Sequence, residues 1–254
     1  MMKTVILAGG RGTRLSEETG VIPKPLVEIA GKPLLWYIMK IYSSYGFNEF
    51  IVAGGYKCEK LKEYFINLAN TTNDLTIDIA RNEIDIINKK VENWKVTVVD
   101  TGLDTFTGGR IKKIKDYVDD IFMLTYGDGV ADINLGSLID FHKSHGGLAT
   151  ITAVRMPRFG ILNIDKSGKV LDFQEKRIEH SPFINGGFMV LSKKVMDYIQ
   201  EDEPFEMQPM LRLINAEELF AYKHEGFWHA VDTIWDKRDL EEMIFNKKVK
   251  LWKD

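Results

Sequence analysis

Close to the N-terminus, Leu7-Ala8-Gly9-Gly10-Arg11-Gly12-Thr13-Arg14-Leu15 gathers three glycines, a threonine and two arginines, and Pro23-Lys24-Pro25 follows shortly after. Glycines lacking a Cβ let backbone N–H groups come close to an anion. An arginine adds a planar fork of donors and a lysine a compact charge, and the flanking prolines restrict the backbone around Lys24. Together these residue types suit a polyphosphate. Taken singly, the glycines would serve equally as a tight strand-to-helix turn, and each cation as a solvated surface charge. Two familiar phosphate loops are excluded. The dinucleotide fingerprint needs glycine where Leu15 stands, which argues against a dehydrogenase, and a Walker A loop needs Ser or Thr where Pro33 follows Gly31-Lys32.

Further candidates lie downstream. Asp128, between Gly127 and Gly129, directly follows an apolar run. That places a carboxylate at the carboxyl end of a strand, either as a turn former or as an oxygen ligand for Mg²⁺, which needs only one or two carboxylates beside phosphates. Asp232 alone reads as a helix cap near Asp236. Glu175-Lys176 ends a strand and reads as a surface ion pair. Asn185-Gly186-Gly187 can begin a strand, and an amide beside glycines also suits hydroxyl recognition. Arg110 opens a basic stretch with Lys112, Lys113 and Lys115 that is otherwise a solvated helix face, Trp228 favours the core, and Cys58 reads as packing. His224 and His229 fit no zinc motif.

These residues need a scaffold, and the apolar pattern supplies one. Short continuous apolar runs at Thr4 to Ala8, Phe50 to Ala53, Val96 to Val99, Ile121 to Thr125 and Ala149 to Val154 read as buried strands. Helical spacing appears at Leu34, Ile38, Ile41 and Tyr45, at Leu61, Tyr64, Phe65 and Leu68, and at Leu135, Leu138, Ile139 and His142. Ile111 to Val118 reads as a basic helical stretch. Strands alternating with helices predict an α/β fold: a mostly parallel, Rossmann-like sheet flanked by helices. After Arg155 the pattern changes to a hairpin, Gly160 to Ile164 and Val170 to Phe173, then a strand at Gly186 to Leu191 and a last helix at Asp236 to Asn246. The expectation is one domain over residues 1–254 with a β-rich, substrate-side second half.

Composition bounds the function. The chain has 254 residues, 34 Lys and Arg against 37 Asp and Glu, and a net charge of −3. So balanced a charge argues against broad nucleic-acid binding. A single cysteine excludes an internal disulfide and cysteine metal clusters. No stretch approaches the length of a membrane span, and the run Val5 to Ala8 is too short for a secretory leader, so the expected location is the cytoplasm.

The opening motif with Pro23-Lys24-Pro25 resembles the signature of the sugar nucleotidyltransferases, the nucleoside-diphosphate-sugar pyrophosphorylases. Thr107-Gly108-Gly109-Arg110 and Gly226-Phe227-Trp228 through Asp232-Thr233 are similar to its cytidylyl branch, in which the acceptor is glucose 1-phosphate. The resemblance covers nearly the whole chain. It implies that a sugar 1-phosphate oxygen attacks the α-phosphorus of CTP in line, with Mg²⁺, to give a CDP-sugar and pyrophosphate. It implies Arg14, Lys24, Asp128 and Asp232 as catalytic residues, the two aspartates holding the metal. Leu7, Ala8, Gly9, Gly10, Gly12, Thr13, Arg14, Lys24, Gly109 and Arg110 would bind nucleotide. Tyr126, Glu175, Lys176, Asn185 and Gly186 would bind the sugar phosphate. The family also implies a homo-oligomer, and Asn82 to Trp94, which has no evident core role, is the expected contact surface. Departures lie at Arg177, at Met156-Pro157-Arg158 and at His229-Ala230-Val231, all expected on the sugar side, so a different sugar or nucleotide is the alternative. A non-catalytic nucleotide-binding regulator is disfavoured because Arg14, Lys24, Asp128 and Asp232 are all present.

Overall fold

The computed structural model describes residues 2–87, 92–156, 161–174 and 181–252. Strand β1 (Thr4–Ala8) runs through the glycine loop and a 3-10 turn at Thr13–Leu15 into the short helix α1 (Ser16–Thr19). A second 3-10 turn, Lys24–Leu26, leads to the small ribbon β2 (Glu28–Ile29) and β3 (Lys32–Pro33), then to α2 (Leu34–Ser43). Next come β4 (Glu49–Gly54), α3 (Cys58–Thr72), the hairpin β5 (Asp74–Asp78) and β6 (Glu83–Ile87), and β7 (Lys95–Asp100). They are followed by α4 (Thr107–Lys113), β8 (Ile121–Tyr126), β9 (Gly129–Ala131), α5 (Leu135–His145) and β10 (Ala149–Arg155). The second half holds the hairpin β11 (Ile161–Ile164) and β12 (Val170–Gln174), then β13 (Phe183–Ser192), α6 (Gln208–Asn215), β14 (Leu219–Lys223), β15 (Trp228–Ala230) and α7 (Ile234–Phe245).

Seven strands form the main sheet in the order β14-β10-β13-β8-β1-β4-β7. β1 pairs parallel with β4 and β8, β4 with β7, and β10 with β14, while β13 runs antiparallel to both β8 and β10. The mostly parallel expectation therefore holds, with one reversed strand inside the sheet. β1 shows why its apolar run is continuous: Ile6 and Ala8 face one core with Val52 and α2, and Val5 and Leu7 face the other with Ile51, Leu124 and α4. From β1 the chain winds one way to β4 and β7, and β8 starts the other side. The crevice outside the carboxyl ends of β1 and β8 is thus the topological switch point where ligands bind in open α/β sheets.

Helices start and stop for local reasons. Pro33 precedes α2 and Gly46, at φ +85°, ends the turn after it. Asn134 caps α5, accepting from the Ser137 N–H, and Gly146 at φ +68° closes it. The basic stretch begins earlier than its sequence suggests, because α4 opens at Thr107. No helix among the described residues is long and apolar enough to cross a membrane.

Behind the sheet, the Thr150 hydroxyl meets both His142 Nδ1 at 2.9 Å and His145 Nε2 at 2.7 Å, and His145 stacks on Phe220. Burial, with His145 adding to it, pushes the His142 imidazole from its ordinary 6.5 down to about 4. Between those values the unfolded chain binds a proton that the folded chain refuses, so folded stability is full above the upper value and falls as pH drops through the window. We expect the melting temperature to fall from pH 7 to pH 5. His142→Gln, whose amide can still reach Thr150, should flatten that slope by up to about 1.4 kcal/mol per pH unit. Melts of both proteins across pH 4–7 check it; parallel slopes would remove His142 as the cause.

Candidate active site

A cavity of about 500 Å³ opens at the switch point. Leu7 to Gly10, Gly12 to Arg14, Lys24, Arg110, Tyr126, Asp128 and Asp232 all border it, so most of the expected site residues converge. The local folding explains how. Leu15 N–H donates to the Gly12 carbonyl, and Gly12 takes φ +61°, which turns the loop back over the end of β1. Gly127 N–H donates to the Leu7 carbonyl, fastening the end of β8 to the end of β1.

Three segments far apart in sequence deliver the charges. Pro23 and the buried Pro25 and Leu26 fix the 3-10 turn that carries Lys24. Asp128 follows β8, and its carbonyl accepts from Val231 N–H, which ties it to the end of β15. Asp232 precedes α7. Its expected capping role falls to Thr233, which forms a capping box with Asp236; the Asp236 carboxylate also accepts from the Asp232 N–H at 3.1 Å. The Asp232 side chain turns instead to the cavity.

The result is one ammonium between two carboxylates. Lys24 Nζ donates to Asp128 Oδ2 and to Asp232 Oδ1, both at 2.8 Å. Burial alone would push the Lys24 pKa down, but Asp128 and Asp232 outweigh it and hold the group above its ordinary value. Arg14 joins Asp232 at 3.3 Å with most of its side chain exposed, and Arg11 pairs with Asp104 at 2.8 Å. The arrangement presents cations and a carboxylate pair to one cavity, the groups needed to grip a triphosphate and a hard divalent cation.

Arg110 has a supporting place. It is 4% exposed, and its guanidinium donates to the Gly54, Gly102, Gly9 and Leu103 carbonyls and to the Thr101 hydroxyl. Side chains on Gly9 or Gly55 would collide with it. Gly109 does not border the cavity; it packs against Asp202 and Thr105. Asn185 and Gly186 stand one layer back. Asn185 Nδ2 donates to the Tyr126 hydroxyl at 3.2 Å, and Gly186 O accepts from Trp228 Nε1 at 2.7 Å. Trp228 thus both packs on the core and fastens β13. His229 does not face the site: its ring is buried and meets the Asp236 carbonyl at 2.9 Å, so this departure supports α7. Glu175, Lys176 and Arg177 lie outside the described residues, as do residues 157–160. Sequence reasoning named Thr107 only as part of a motif and missed Glu206; both also border the cavity and touch at 2.6 Å. Glu206 sits in a loop with no motif, and only the fold brings it to the site.

Replacing Arg110 by Met would strip donors from several enclosed carbonyls and leave the loop unsupported. We expect Arg110→Met to lose roughly 3 kcal/mol or more of stability. Denaturant unfolding checks this; unchanged stability with weakened nucleotide binding would make Arg110 a ligand residue instead.

Comparison with known proteins agrees with this geometry. The nucleotidyl transferase family pattern matches residues 3–237. The chain is 50% identical to the glucose-1-phosphate cytidylyltransferase of Salmonella typhimurium, over 99% of both chains. It is 47% identical to the probable glucose-1-phosphate cytidylyltransferase of Bacillus subtilis, again over 99% of each. Among solved structures, HddC from Yersinia pseudotuberculosis, complexed with GMP-PN, superposes with a TM-score of 0.68 at 27% identity, covering 96% of this chain and 100% of that one.

Proposed function

The chain belongs to the nucleotidyl transferase family, and on that premise we propose that it transfers the cytidylyl group of CTP to glucose 1-phosphate, giving CDP-glucose and pyrophosphate. The observation that carries this reading is the convergence of Lys24, Asp128 and Asp232 at the mouth of the glycine loop. The near-full-length relatives supply the choice of nucleotide and sugar.

In this reading the loop from Gly9 to Thr13 cradles the nucleotide. Arg14 and Lys24 neutralise phosphate charge as it shifts toward the departing pyrophosphate. Asn185 and Gly186 face the sugar, and Glu175 and Lys176 complete the sugar-phosphate side. Mg²⁺ fits the donor set. Asp128 and Asp232 already aim oxygens at a single cation and remain partly exposed, at 36% and 24% of their side chains. Two carboxylates can share such an ion with substrate phosphates and water. Bound there, Mg²⁺ would supply charge neutralisation at the reacting phosphates.

Pyrophosphate release from each of the common NTPs against several sugar 1-phosphates tests the proposal. CTP with glucose 1-phosphate should exceed UTP, ATP or GTP by at least about tenfold, ~1.4 kcal/mol of transition-state discrimination. In the same assay folded Asp128→Asn and Asp232→Asn should lose more than about a hundredfold. Better turnover with another nucleotide, or full activity in either variant, would refute the reading.

We also infer a homo-oligomer assembled through the β5–β6 hairpin; of the expected contact segment Asn82 to Trp94 only β6 belongs to it, and residues 88–91 lie outside the described residues. Cross-strand pairs Leu75 with Ile86 and Ile77 with Ile84 share one face, while Asp74, Asp78, Glu83 and Asp85 lie on the strands beside them. Ile77 and Ile84 are more than half exposed, and a two-stranded hairpin is marginal in water without cover. A second copy offers a matching aliphatic face across a two-fold axis. Light scattering should give a multiple of the 29.1 kDa chain mass for the wild type and a smaller species for Ile77→Asp with Ile84→Asp. A monomeric wild type would refute it.

A further inference from the structure

One carboxylate outside the expected site joins its two halves. Glu206 lies in the loop before α6 and borders the cavity. Its Oε1 accepts from the Tyr126 hydroxyl and its Oε2 from the Thr107 hydroxyl, both at 2.6 Å. Tyr126 closes β8, and Thr107 opens α4 beside the nucleotide loop.

The loop does not need Glu206 for its own fold. Phe106 N–H donates to Asp202 Oδ1, Gly108 N–H to the Glu203 carbonyl, and Phe205 N–H to Thr107 Oγ1. Glu203 is held in turn by Arg212 at 2.6 Å, and the Phe205 ring is fully buried. What Glu206 alone supplies is an acceptor for the Tyr126 proton. An ionised carboxylate can only accept, so at 2.6 Å the phenol must be the donor of this pair.

A phenol whose proton is committed to a carboxylate presents only lone pairs elsewhere. Tyr126 therefore accepts from Asn185 Nδ2, and Asn185 Oδ1 accepts from Gly187 N–H at 3.0 Å. The amide is fixed in one sense, with one N–H and one lone pair unspent by these two bonds, a match for a sugar hydroxyl that both donates and accepts. Without Glu206 the phenol proton would turn toward the donor N–H of Asn185, and ring or amide would have to move.

We infer that Glu206 is a positioning residue for the sugar 1-phosphate, acting through Tyr126 on Asn185. This rests on the reading of Asn185 as sugar-facing. Glu206→Ala should raise the KM for glucose 1-phosphate about tenfold or more while the KM for CTP changes less than about threefold. Glu206→Gln keeps an acceptor for the phenol and should recover most of the loss. Glu206→Ala combined with Tyr126→Phe should be no worse than either alone, because both break one chain of hydrogen bonds. Equal rises in both KM values, additive losses, or no recovery with Gln would overturn the inference. Calorimetric titration of glucose 1-phosphate onto wild type and Glu206→Ala should show the same affinity difference without turnover. A wild type that makes no nucleotide sugar but shows that difference would overturn the functional reading and leave this one standing; equal affinities would overturn this one.

Discussion

Asp128 and Asp232 point their carboxylates at one place, and the Lys24 ammonium stands there at 2.8 Å from each. Two carboxylates so close repel unless a cation joins them, and the repulsion grows as the site excludes water. The rest of the site depends on that three-way contact, because its members come from the turn after the glycine loop, the end of β8 and the start of α7. Each backbone is anchored independently: by Pro25 and Leu26, by the bond from Val231 N–H to the Asp128 carbonyl, and by the Thr233–Asp236 capping box. The charges thus meet at fixed points. A preorganised cluster of this kind spends little reorganisation when phosphate charge arrives.

Arg110 does for the loop what Lys24 does for the carboxylates. A guanidinium carries donors in a rigid plane, and here that plane collects carbonyls from Gly9, Gly54, Gly102 and Leu103. Three loops at the carboxyl ends of β1, β4 and β7 are therefore fastened to one side chain. Gly9 and Gly55 are glycine because the guanidinium occupies the space a Cβ would fill. Part of the glycine richness that suggests an anion loop thus serves a buried cation.

Strands and helices were legible where burial imposes a local pattern. β1, β4 and β8 are buried on both faces, so their apolar runs are continuous, and α2 and α5 carry helical spacing ended by Gly46 and Gly146. The glycine loop, Lys24 and Asp128 were legible through residue type and strand-end position. Asp232 entered only through family resemblance, since its partner Lys24 is 208 positions away. Glu206 left no trace, because an acidic residue in a polar loop carries no periodicity. Arg110 borders the cavity, as its motif suggests, and only the fold shows that backbone carbonyls also take up its donors. The β5–β6 hairpin hid because its aliphatic residues alternate with acidic ones and, among the described residues, Ile77 and Ile84 stay more than half exposed.

The reversal of β13 brings the start of that strand to the sheet edge that carries the site. A parallel strand beside β8 would place its beginning at the far end of the sheet. Antiparallel pairing instead matches Met189 with Leu124 and Ser192 with Ile121, so the beginning of β13 lies at the carboxyl end of β8. Continued by two residues, that register brings Gly187 beside Tyr126, where a Cβ on the glycine would stand 2.6 Å from the ring. Asn185 and Gly186 thereby reach the same edge as the glycine loop of β1 and the carboxylate after β8. The switch point between β1 and β8 supplies a crevice for the nucleotide. Tyr126 borders that crevice and accepts from Asn185 Nδ2 behind it, so in the proposed reaction an acceptor held on the Tyr126 side would face the nucleotide, which is the proximity that a transfer between two bound substrates requires.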